Sequence, residues 1–77
     1  MEKVIIRRTE LVGPEKGRIS YIKSEWLYIV TYTNEIAKAK RMRIKDAAAL
    51  IRDLPFYVDD CKLYKLEMLR KKPEPHD

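Results

Sequence analysis

Five cations, Lys38, Lys40, Arg41, Arg43 and Lys45, stand within eight residues of this chain. Such a run can track a phosphate backbone, because each charge that neutralises a phosphate releases a condensed counterion. Arg7 and Arg8 add two more cations from the N-terminal segment. Trp26, Tyr28, Tyr32 and Tyr21 offer rings that stack on unpaired bases if their face is open. The same residue types also dominate protein contact surfaces. The competing reading is a solvated charged face, and the sequence holds no KH loop, RRM motif, zinc-finger spacing or helix-turn-helix.

Reaction chemistry has little to work with. The single histidine, His76, lies next to the last residue, in a proline-containing stretch that cannot hold an imidazole in place. Cys61 has no histidine placed to activate it and reads as a packing residue. Asp59 and Asp60 read as a turn, and one Cys with one remote His falls short of a metal-ligand set. Gly13 and Gly17 are the only glycines, so no phosphate-binding glycine loop exists. The expectation is no catalytic residue, no metal, no cofactor and no enzyme activity.

A chain of 77 residues supports one domain, expected over residues 1–70 with a flexible polar tail at 71–77. It is 45% hydrophobic and 38% charged, which fits a folded domain with a charged exterior. The net charge of +5 favours phosphates or acidic proteins as partners. No apolar run has the ~18–20 residues that a membrane span needs, and Val4-Ile5-Ile6 is too short for a secretory signal. With a lone cysteine, the expected setting is the cytoplasm and no membrane is expected as a partner.

Alternation of apolar and polar residues marks the elements that must position these groups. Val4–Val12 reads as a strand, with Val4 and Ile6 opposed to Ile5 and Leu11; Gly13, Pro14 and Gly17 break it. Arg18–Lys23 reads as a second strand, with Ile19 and Tyr21 opposed to Ser20 and Ile22. Trp26–Thr33 is rich in β-branched and aromatic residues and reads as a third. There Trp26, Tyr28, Val30 and Tyr32 share one face, and Leu27, Ile29, Thr31 and Thr33 the other. The Leu27/Ile29 face is expected to meet the helix, although the alternation fits either assignment. A helical turn over 35–40 and an extended piece at Arg41–Ile44 come next. Asp46–Leu54 then carries Ala47, Leu50, Ile51 and Leu54 at helical spacing, and Pro55 ends it. Ile44 sits at the expected N-cap without a side-chain acceptor. Lys62–Arg70 closes the chain as a strand.

The stretch Asn34-Glu35-Ile36-Ala37-Lys38-Ala39-Lys40-Arg41-Met42, followed by Lys45-Asp46-Ala47-Ala48-Ala49-Leu50-Ile51, resembles small uncharacterised proteins of phages and prophages of Gram-positive bacteria. The resemblance covers about a third of the chain and implies origin and fold, with the host cytoplasm as location. It places Ala39 under the helix, Met42 where an aromatic is common, and Ala48 at the helix–sheet contact.

Together these readings predict an α+β domain: a small antiparallel sheet of about four strands in β-β-β-α-β order, with one helix on one face. Its expected work is binding, to nucleic acid or an acidic protein through the basic run. The alternative is modulation of a host or phage protein through the aromatic sheet face. A nine-residue helix, ~14 Å long, cannot shield both faces of such a sheet, so a homodimer is a further expectation.

Overall fold

A computed structural model describes residues 2–26, 29–56 and 63–70, with the backbone alone at Phe56. Strands β1 (Lys3–Glu10), β2 (Ile19–Trp26) and β3 (Ile29–Thr33) lead into a 3-10 turn at Ile36–Lys38. The two-residue strand β4 (Met42–Arg43) and helix α1 (Ile44–Asp53) follow. A second 3-10 turn (Leu54–Phe56) and β5 (Tyr64–Arg70) complete the described elements. The class is α+β, with one helix on an antiparallel sheet of five strands.

The central strand is β1. Its whole length from Val4 to Glu10 pairs with β5. A strand has two edges, so β2 and β4 must share the other: β2 takes Arg7–Thr9 and β4 takes Lys3–Val4. Beyond β2 lies β3, which among the described residues pairs with β2 only. The β1–β2 connection closes where the Glu10 N–H donates to Arg18 O and the Gly17 N–H donates to Glu10 O, at 3.0 and 2.8 Å. Gly13 and Gly17 hold φ of 84° and 91° in that connection, a conformation that side-chain-bearing residues adopt only with strain.

Alternation sorts the strands cleanly. The inner face carries Val4 and Ile6 of β1 and Ile22 of β2, all essentially inaccessible, joined by Met42, Ala47 and Leu54. Val30, Tyr32, Leu50, Ile51, Leu66 and Met68 pack around them. Burying each large aliphatic here stabilises the fold by about 1.5–3 kcal/mol. Ile5 is buried as well, on the opposite face, beside its cross-strand partner Leu69.

Three expectations are corrected. Trp26–Thr33 is not one strand: Trp26 ends β2 and pairs with Ile29, the first residue of β3. The Ile29 face does not meet the helix. Pairing of Ile22 with Tyr32 puts Tyr32 and Val30 on the core side, leaving Ile29 64% exposed. Ala48 is exposed, whereas Ala47 is fully buried. A turn of 100° per residue keeps Ala47 in line with Leu50, Ile51 and Leu54 and swings Ala48 to solvent. Boundaries also move: β1 stops at Glu10, leaving Leu11 and Val12 exposed, and α1 begins at Ile44 with Arg43 as its N-cap. The N-cap is therefore Arg43 and not Ile44, and it makes no side-chain capping hydrogen bond. The 3-10 turn at Ile36–Lys38 lies within the expected helical turn over 35–40, and Met42–Arg43 lies within the extended piece expected at Arg41–Ile44, whose last residue instead opens α1.

Candidate functional site

A β-bulge in β2 lies next to a groove that several charged residues line. Between Ile22 and Ser24 the β2–β3 register slips by one residue, so Lys23 stands as the extra residue. Bulges bend a strand and strengthen its twist, and β2 pairs with β1 only up to Tyr21. The vacated edge is taken by the segment that carries the basic run. The Lys40 N–H donates to Ile22 O at 2.8 Å, and Met42 and Arg43 pair with Val4 and Lys3. Met42, 7% exposed, turns into the core and anchors the segment.

The groove beside this junction has a volume of about 400 Å³. Lys3, Lys40, Arg41 and Arg43 contribute four cations, and Glu25 and Asp46 two carboxylates. Met42, Ala49 and Leu50 form its apolar lining. None of these six charged groups forms an ion pair among the described residues. Asp46 lies in the first turn of α1, where a carboxylate suits the helix dipole.

The other cations of the sequence-derived set fall elsewhere. Lys38 pairs with Glu35 at 3.1 Å on the 3-10 turn, and Lys45 is exposed on the first turn of α1. Arg7 lies on the outer face and donates to Glu67 Oε1 at 2.8 Å; this bond holds the Glu67 carboxyl below its ordinary pKa. Arg8 lies on the inner face, opposite Ser20 of β2 and Leu66 of β5. Its guanidinium stacks 3.9 Å from the Tyr32 ring and 4.4 Å from the Tyr64 ring, and its Nε donates to Ser20 Oγ at 2.9 Å. Glu10 lies 3.5 Å from its Nη2. Neighbours in sequence, Arg7 and Arg8 are thus separated by the sheet, and each is held by partners.

The aromatic set is divided in the same way. Tyr21 and Trp26 face outward, Trp26 with 71% of its surface exposed, while Tyr32 faces Arg8. Tyr28 and Leu27 lie outside the described residues, as do Asp59, Asp60, Cys61, Lys62, His76 and the whole tail 71–77. Lys3, Glu25 and Asp46 were not singled out as site residues from sequence. Lys3 and Glu25 reach the groove through long-range strand pairing, for which no local signal exists.

Among the described residues, no three His, Cys, Asp or Glu gather as a metal site, and no helix is long and apolar enough to cross a membrane. Compared with models of known families, with curated proteins and with solved structures, the chain finds no match.

Proposed function

We propose that this chain is a binding domain that performs no turnover and holds nucleic acid in the groove of Lys3, Lys40, Arg41 and Arg43. One observation carries the reading: four cations converge from two strands and a connecting segment, and no carboxylate among the described residues pairs with any of them. Among the described residues, seven of the ten other cations pair with acids, as in Arg18–Glu15, Arg52–Asp53 and Arg70–Glu2, while Lys16, Lys23 and Lys45 do not. A cation without a direct partner can bond a phosphate oxygen without first giving up a carboxylate. The test is an anisotropy titration of a labelled oligonucleotide at two salt concentrations. Binding that weakens steeply with salt, and is lost in Lys40→Glu/Arg41→Glu/Arg43→Glu, supports the reading. No binding at low salt ends it.

The exposed Trp26–Ile29 pair favours a second reading, contact with a host or phage protein through the outer end of β2–β3. A nuclease-treated pull-down that succeeds with the natural chain and fails with Trp26→Ser/Ile29→Ser would favour it over the first.

A further inference from the structure

We propose that Glu25 and Asp46 make the groove selective for an unpaired base with amino donors, guanine foremost, within a single strand. This rests on the nucleic-acid reading above. Every other described carboxylate is engaged: Glu2, Glu10, Glu15, Glu35, Asp53 and Glu67 each form an ion pair. Among the described residues Glu25 and Asp46 alone form none, and both line the cationic groove.

For a surface that only tracks phosphates, these two groups are a handicap. Each repels the backbone, and inside the ~8 Å Debye length at physiological salt that repulsion is felt. An ionised carboxylate accepts hydrogen bonds and cannot donate, so it selects a partner rich in N–H groups. Bases differ in this respect. Cytosine and adenine each present one exocyclic amino group, and guanine presents its ring N1–H beside its N2 amino group, matching the two oxygens of one carboxylate. Thymine and uracil offer a single ring N–H flanked by carbonyls that a carboxylate repels. The guanine edge concerned is open only when the base is unpaired. A groove of about 400 Å³ has the dimensions of a small-ligand site, and its Met42, Ala49 and Leu50 lining gives a ring an apolar surface. Four cations around it hold the flanking phosphates.

The test compares an oligothymidine strand with the same strand carrying one central guanine, by fluorescence anisotropy at fixed low salt. The guanine strand should bind about tenfold more tightly. Glu25→Gln and Asp46→Asn, isosteric changes at half-buried and exposed positions, should erase that difference while leaving oligothymidine binding equal or tighter. Circular dichroism and a thermal melt confirm that both variants fold. Equal binding of the two strands by the natural chain overturns the selectivity and leaves the phosphate groove standing. No binding of either strand overturns the nucleic-acid reading itself, and this inference with it.

Discussion

Lys3 and Arg43 are Cα partners in the β1–β4 ladder, two cations side by side on one strand edge with no carboxylate paired to either among the described residues. Like charges directly opposite across an antiparallel pair oppose the fold, by up to about 1 kcal/mol. Arg43→Glu should therefore raise the urea midpoint by an amount worth about 0.5 kcal/mol while weakening oligonucleotide binding. Stability and binding moving in opposite directions is the signature of charges placed for a ligand. A variant that loses both would mark Arg43 as a structural residue.

Arg8 is the converse case, a cation committed to the fold. Stacked on Tyr32 and Tyr64 and bonded to Ser20, it ties β1 to β2, β3 and β5 across the inner face. Arg8→Ala should cost about 2 kcal/mol in urea denaturation, by loss of cation–π contacts and of the donor to a buried hydroxyl. Arg8→Lys should restore little, because an ammonium lacks the planar guanidinium that spans two rings. Neither change should alter the salt dependence of binding.

Glu67 links stability to pH. The hydrogen bond from Arg7 holds its carboxyl below the ordinary carboxylate range in the folded state. A carboxyl so depressed contributes stability that is full above the unfolded pKa and is lost as pH falls through the folded one. The stability gap between the natural chain and Glu67→Gln should therefore narrow as pH drops below the usual range for glutamate. A gap that stays constant with pH would show that the Arg7–Glu67 bond does not form in solution.

Trp26 is the only tryptophan and is largely exposed, so it reports directly on its surroundings. Its emission should lie at long wavelength and be readily quenched by acrylamide. A bound single strand should shield it if bases stack there, and Trp26→Ala should then weaken single-strand binding about tenfold. Unchanged quenching in the complex would confine the interface to the groove.

Helix α1 and strands β1 and β5 were legible because each carries a local period, whereas the break between β2 and β3 was not. Ala47, Leu50, Ile51 and Leu54 mark α1, and the parity break between Ala39 and Met42 marks the turn into β4. The inner face of β3 was not legible. Val30/Tyr32 and Ile29/Thr31 alternate equally well, and the choice is made by pairing with Ile22, a long-range contact. The basic run was visible as composition, yet which of its members converge depends on the bulge at Lys23 and the edge of β1. Hence Lys38 and Lys45 fall outside the groove lining, and Lys3, forty residues from Arg43, falls within it.

The most direct test is the slope of log K against log salt for a single-stranded oligonucleotide. Four phosphates held by Lys3, Lys40, Arg41 and Arg43 imply a slope of about −2.8, and Arg41→Gln/Arg43→Gln should flatten it to about −1.4. A natural-chain slope near zero, or one that this double change leaves unaltered, would contradict the account.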